Sequence, residues 1–84
     1  MTTVTLRYFA AARSAAGGVR QEDVTAATVT GALDQAKDKH GAELARVMGI
    51  SSYLLNGVSL AEQDHGVVLD GPATLDVMPP FAGG

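Results

Sequence analysis

The sequence contains no cysteine and no tryptophan. Without cysteine, the chain has no disulfide, no thiolate metal ligand and no cysteine nucleophile. It also has no apolar run close to the roughly 18 to 20 residues that a membrane-spanning helix needs, and its first residues lack the pattern of a secretion signal. We therefore expect a cytoplasmic protein that has no membrane as a partner.

Basic residues are scarce, with 6 Lys and Arg against 9 Asp and Glu and a formal net charge of −3. A surface that follows nucleic-acid phosphates needs many more cations, so we expect no nucleic-acid partner. The hydrophobic fraction of 46% is that of a globular protein. A chain of 84 residues builds one small core. We expect a single domain over residues 1–84, with residues 79–84 as a projecting tail.

Alternating residues predict strands at both ends of the chain. In residues 3–9, Val4, Leu6 and Tyr8 share one face, whereas Phe9 falls among the polar residues of the other face. A short helical turn over residues 10–16 and a return strand over residues 19–25 follow. In the last strand, residues 74–78, the pattern places Leu75 and Val77 inward and Asp76 and Met78 outward.

One main helix lies between these strands. Thr28 or Thr30 can cap its start, Gly41 supplies a stop residue, and residues 42–48 add one more turn. Its apolar stripe consists of Val29, Ala32, Leu33, Ala36 and His40. Asn56-Gly57 is the strongest hairpin signal in the chain, and a brief extended segment is expected at residues 67–69. Because one helix covers one face of a sheet, the fold class is α+β, with the helix packed on one side of a mixed sheet.

The central part of the chain shows no catalytic constellation. His40 and His65 are far apart in sequence, and Glu62, Asp64 and His65 lack a recognised metal-ligand spacing. Gly17-Gly18 belongs to no phosphate-binding motif. We therefore interpret His40 as a helix-end residue and residues 61–66 as a solvated loop, with no metal site.

The unusual feature is the final segment PPFAGG. Pro79 and Pro80 hold the backbone extended and donate no ladder hydrogen bonds, so they direct the chain off the sheet. Gly83 and Gly84 make its end thin enough to enter a narrow active site of another protein. The functional group there would be the carboxylate of Gly84. A carboxylate must be activated before a nucleophile attacks it, so we expect an external enzyme that uses ATP.

Two stretches, LRYFAAARSAAG (residues 6–17) and LDVMPPFAGG (residues 75–84), resemble the small subunit of molybdopterin synthase. That family comprises sulfur carriers of the ubiquitin-like β-grasp group, the MoaD/ThiS type. The resemblance implies a β-grasp fold and a Gly84 that is adenylated, converted to a thiocarboxylate and used to build the molybdopterin dithiolene. It implies partner-binding roles for the residues that surround this end: Phe9, Met78, Pro79, Pro80, Phe81, Ala82 and Gly83. Relatives often carry acidic residues where this chain has Pro72 and Ala73.

The resemblance also implies the partners. They are the large catalytic subunit of the synthase, an adenylating enzyme similar to the ubiquitin-activating class, and a sulfurtransferase as the sulfur source. No cofactor is expected to stay bound to this chain, since ATP is used by the activating enzyme. Three alternatives remain open: a carrier for thiamin thiazole or cysteine biosynthesis, a protein modifier, and a non-catalytic ubiquitin-like interaction module.

Overall fold

The computed structural model describes residues 1–80. Along the chain the elements are five strands, three α-helices and a short 3₁₀ turn over Glu62–Asp64. Strands β1 to β5 span Thr2–Tyr8, Gln21–Ala26, Ser52–Leu55, Val58–Ser59 and Ala73–Met78, and helices α1 to α3 span Ala11–Ala15, Val29–His40 and Ala42–Met48. The return strand therefore begins two residues later than the expected residue 19, and the segment 42–48 is a helix of seven residues.

The five strands form one mixed sheet in the order β2-β1-β5-β3-β4. β1 and β5 pair in parallel at its centre, and the other pairs are antiparallel. The helices cover one face, and a single core of apolar side chains fills the space between the two layers. The expected α+β fold, a ubiquitin-like β-grasp with its main helix packed on one face of a mixed sheet, is confirmed.

The core side chains are those that the alternation predicts. Val4, Leu6 and Tyr8 of β1 are buried, as are Leu75 and Val77 of β5. The first strand ends at Tyr8, one residue before the expected end, so Phe9 follows the strand and does not belong to its polar face. Ala10 then takes a positive φ of 49°, which turns the chain directly into α1.

Helix α2 begins as the sequence predicts. The Thr28 hydroxyl oxygen accepts a hydrogen bond from the Gly31 amide at 3.0 Å, so Thr28 and not Thr30 is the cap. Four residues of the expected stripe are buried: Val29, Ala32, Leu33 and Ala36. The helix ends at Gly41, whose φ of 94° is readily accessible only to glycine.

The predicted hairpin is confirmed. Asn56 and Gly57 have φ values of 50° and 82° between β3 and β4, as a two-residue type I′ turn requires. Of the expected extended segment at residues 67–69, Val68 forms an isolated bridge with Thr28. Within the described residues 1–80, no helix has the length and apolar character to cross a bilayer.

Candidate functional site

The parallel pairing of the two central strands brings Phe9 and Met78 to the same end of the sheet. Tyr8 pairs with Val77 in this ladder. The next residue after each strand position, Phe9 after Tyr8 and Met78 after Val77, therefore lies at the same end of the sheet. Both are partly exposed. The sequence predicted each of them for a partner contact, and the structure brings them together.

The chain leaves the sheet at this same end. β5 stops at Met78, Pro79 is buried and Pro80 is exposed. Phe9, Met78, Pro79 and Pro80 thus form one region, here called the strand-end surface. The other predicted site residues lie outside the described residues, and their roles stay predictions: Phe81, Ala82, Gly83 and Gly84.

A charged pair borders the strand-end surface. Arg7 Nε lies 3.3 Å from Asp76 Oδ1, close enough for an ion pair but not aligned for a hydrogen bond. The Arg7 guanidinium carbon lies 5.3 Å from the centre of the Phe9 ring, within the range of a cation–π contact. One arginine therefore contacts both the strand-end aromatic and the central strand.

The sequence placed Asp76 on the outward side of the last strand. In the structure Asp76 is only 9% exposed. The reason is tertiary: β5 is the middle strand, and Asp76 lies between Arg7 of β1 and Leu54 of β3 in the ladder. Neighbouring side chains on both strands cover an outward residue at the centre of a sheet, whereas they leave one at an edge open.

The two histidines occupy separate structural positions. His40 ends α2, as predicted, and His65 follows the 3₁₀ turn with its ring edge-on to Tyr53 at 5.2 Å between centroids. Among residues 1–80, no three His, Asp or Glu side chains are placed to hold a metal ion. What the described part of the site offers is a partly apolar surface where the final segment begins.

Several solved structures have the same fold as this chain over nearly its whole length. Small archaeal modifier protein 1 from Haloferax volcanii matches with 29% identity and a TM-score of 0.80 over 98% of this chain and 99% of that one. Its counterpart from Methanosarcina acetivorans gives 23% identity and a TM-score of 0.83 over 100% and 98%. The chain is a ubiquitin-like β-grasp protein. The resemblance to the MoaD/ThiS type that the sequence indicated is thereby confirmed.

A third β-grasp relative comes from a complex. In the protein–protein complex of subunits 1 and 2 of molybdopterin-converting factor from Helicobacter pylori, one chain matches with 17% identity and a TM-score of 0.72, over 98% of this chain and 99% of that one. No protein-family model matches the sequence, and no curated protein is similar enough in sequence to count as a relative. The similarity of this β-grasp protein to its relatives is therefore most evident in three dimensions.

The β-grasp body also holds a polar cluster that the sequence did not predict. The Glu22 carboxylate accepts hydrogen bonds from the Tyr8 hydroxyl and the Lys39 ammonium, both at 2.6 Å, and its Oε2 lies 2.5 Å from His40 Nε2. Burial alone would raise the pKa of Glu22, but the hydrogen bonds from Lys39, Tyr8 and His40 lower it from 4.5 to about 2. Burial, and then the hydrogen bond to Glu22, raise the pKa of Tyr8 above its usual range.

Proposed function

We propose that this chain is the sulfur carrier subunit of molybdopterin synthase. In this proposal Gly84 is adenylated, converted to a thiocarboxylate, and donates its sulfur to form the dithiolene of molybdopterin. The observation that carries the proposal is the parallel β1–β5 pairing, which sets Phe9 and Met78 side by side where the final segment leaves the sheet. A partner that holds this surface thereby has the start of the segment within reach.

The chemistry divides between the carrier and its enzymes. A Gly84 carboxylate oxygen attacks the α-phosphorus of ATP, and pyrophosphate leaves. A hydrosulfide ion, released from a persulfide on a sulfurtransferase by a thiol reductant, then attacks the acyl carbon. AMP leaves with the electron pair of the broken C–O bond, and loss of the S–H proton gives the thiocarboxylate. An adenylating enzyme similar to the ubiquitin-activating class catalyses these steps in the cytoplasm. The carrier supplies the carboxylate and the surface by which it is held.

The residues have distinct roles in this proposal. Gly83 and Ala82 pass through the narrow channel of the partner because they carry little or no side chain, and Phe81 anchors the segment. Pro79 and Pro80 fix the direction in which it leaves. Phe9 and Met78 contact both the activating enzyme and the large synthase subunit. The similar Helicobacter pylori protein was solved in a complex of subunits 1 and 2 of molybdopterin-converting factor. That complex supports the proposal that this chain also acts together with a larger partner subunit.

A second candidate function is protein modification. It is favoured by the similarity to small archaeal modifier protein 1 in two organisms, with identities of 29% and 23%. The activated Gly84 would then be transferred to an amine of another protein, with loss of AMP. Carriers for thiamin thiazole and cysteine biosynthesis would use the same activated end, so all these functions share the first step and differ in the acceptor.

The experiment measures the intact mass of the protein after incubation with ATP, an activating enzyme and a sulfur donor. We expect an increase that matches replacement of one oxygen by sulfur, and no increase for a chain that lacks Gly84. The circular-dichroism spectrum and melting temperature of the shortened chain serve as the control for folding, since deletion of a chain end should leave the core intact. Absence of the shift with several activating enzymes would contradict every sulfur-carrier function.

The acceptor is identified in a second step. The thiocarboxylated protein is mixed with the large synthase subunit and the cyclic pyranopterin precursor. In a separate reaction, the unmodified protein is mixed with ATP, the activating enzyme and lysine-containing proteins. Appearance of the dithiolene product, with return of the carrier to its original mass, would support the synthase role. Covalent conjugates without dithiolene formation would support the modifier role instead.

A further inference from the structure

Next to the strand-end surface lies a cavity of about 210 Å³ that concentrates positive charge. Three of the chain's six Lys and Arg residues line it, although the chain carries a formal net charge of −3. The lining residues are Arg7, Tyr8, Phe9, Arg13, Arg20 and Gln21. Half of the basic residues of an acidic protein therefore meet at one concave place, here called the arginine cavity.

Three separate segments supply these arginines. Arg7 belongs to β1, and Arg13 to helix α1, which the turn at Ala10 starts immediately after that strand. Arg20 precedes β2, and its carbonyl oxygen accepts a hydrogen bond from the Tyr8 amide at 2.9 Å. Backbone pairing in the sheet thus fixes the segments that carry Arg7 and Arg20 next to each other.

Only one of the three arginines is neutralised within residues 1–80. Arg7 pairs with Asp76, whereas Arg13 and Arg20 form no ion pair with any described residue. In addition, Arg13 Nε is buried and has no hydrogen-bond acceptor in this part of the chain. A buried donor without an acceptor is costly, and such a group in a native structure calls for a partner. An anion in the cavity would compensate the charge of this guanidinium.

We propose that the arginine cavity binds a phosphate group. Three guanidinium groups and the Asp76 carboxylate leave two positive charges uncompensated. A phosphate monoester carries about −1.5 to −2 at pH 7, which matches the uncompensated charge. It also offers three acceptor oxygens, each of which can accept hydrogen bonds from a guanidinium group. Planar guanidinium groups bind such oxygens in pairs. A single carboxylate would compensate only one of the two charges.

This site goes beyond the carrier function and does not depend on it. The phosphate can come from inorganic phosphate or from a nucleotide such as AMP, and the chemistry of recognition is the same for both. The isolated chain is sufficient for the test, so a failure of the carrier chemistry leaves this test unaffected.

The experiment is a nuclear magnetic resonance titration of the full chain with inorganic phosphate and, separately, with AMP, at constant ionic strength. We expect saturable shifts of the Arg13 Nε–H and Gln21 amide resonances, with a Kd below about 10 mM. Tighter binding of AMP than of phosphate would identify a nucleotide as the source, and equal binding would identify the phosphate group alone. The main variant is Arg20→Gln, because Arg20 is exposed and its replacement leaves the core intact.

The Arg20→Gln variant should raise the Kd for phosphate about fivefold or more, because it removes one positively charged guanidinium group from the cavity. Arg46→Gln is the matched control: it makes the same change in net charge on helix α3, where Arg46 is exposed and pairs with Glu43. An unchanged Kd in Arg20→Gln, an equal loss in both variants, or non-saturating shifts would each overturn the proposal.

Discussion

Replacement of Glu22 by glutamine tests the polar cluster that joins β1, β2 and α2. The carboxylate is 11% exposed and has three hydrogen-bonding partners, Tyr8, Lys39 and His40. A pKa lowered from 4.5 to about 2 corresponds to at most about 3 kcal/mol of stability. Solvent screens part of this value, because the Lys39 side chain is 63% exposed. We therefore expect Glu22→Gln to lower the free energy of unfolding by about 2 kcal/mol at pH 7.

The pH dependence follows from the direction of the shift. The folded pKa of Glu22 lies below the unfolded one, so the unfolded state binds more protons between the two values. The stabilisation is complete above about pH 5 and declines as the pH falls through 4.5 toward 2. The difference between the natural chain and the Glu22→Gln variant should therefore shrink over this range.

The assay is urea unfolding followed by circular dichroism at pH 7, 5, 4 and 3, with thermal melting as a second readout. A loss of about 2 kcal/mol predicts a melting temperature about 10 °C lower for a domain of this size. Glu43→Gln is the control, because Glu43 likewise pairs with a basic side chain, that of Arg46, but is exposed to solvent. If the two variants have the same stability at pH 7, or if the deficit of Glu22→Gln stays constant down to pH 3, the reasoning is refuted.

Two further predictions concern backbone geometry. Thr28→Ala removes the helix cap and should lower the free energy of unfolding, measured by urea unfolding, by about 1 kcal/mol. Thr30→Ala is the control at a nearby exposed position and should have little effect. A larger loss in Thr30→Ala than in Thr28→Ala would contradict the assignment of the cap. Gly57→Ala places a side chain at a φ of 82° and should cost about 1 to 2 kcal/mol. Gly66→Ala, where φ is not positive and space is open, should be nearly neutral in the same assay, and equal losses in both variants would argue against strain at the turn.

Local rules predicted much of the fold. The Asn56-Gly57 dipeptide predicted its hairpin because the φ angles of a type I′ turn depend on those two residues alone. Alternation predicted the buried faces of β1 and β5 because side chains of a strand alternate between its two faces. The exact strand ends were less accurate, since the position of Phe9 depends on where Ala10 turns the chain toward α1.

The polar cluster and the arginine cavity could not be read from the sequence. Glu22 and His40 are 18 positions apart, and Glu22 and Tyr8 are 14 apart, with no spacing rule that relates them. Likewise, three arginines from β1, α1 and the segment before β2 meet only after the β1–β2 pairing has formed. Such contacts between distant segments are set by topology, which no short motif encodes.

The sequence by itself determined the element types, the buried stripe of α2, the hairpin and the resemblance to ubiquitin-like carriers, because each depends on residues close together in the chain. The tertiary structure decided which strands are central. Its parallel β1–β5 ladder brings Phe9 beside Met78, although these residues lie near opposite ends of the chain. The strands β1 and β3 on either side of β5 cover Asp76. Burial of a given residue depends on its neighbours in space, and only the pairing order of the sheet provides those neighbours.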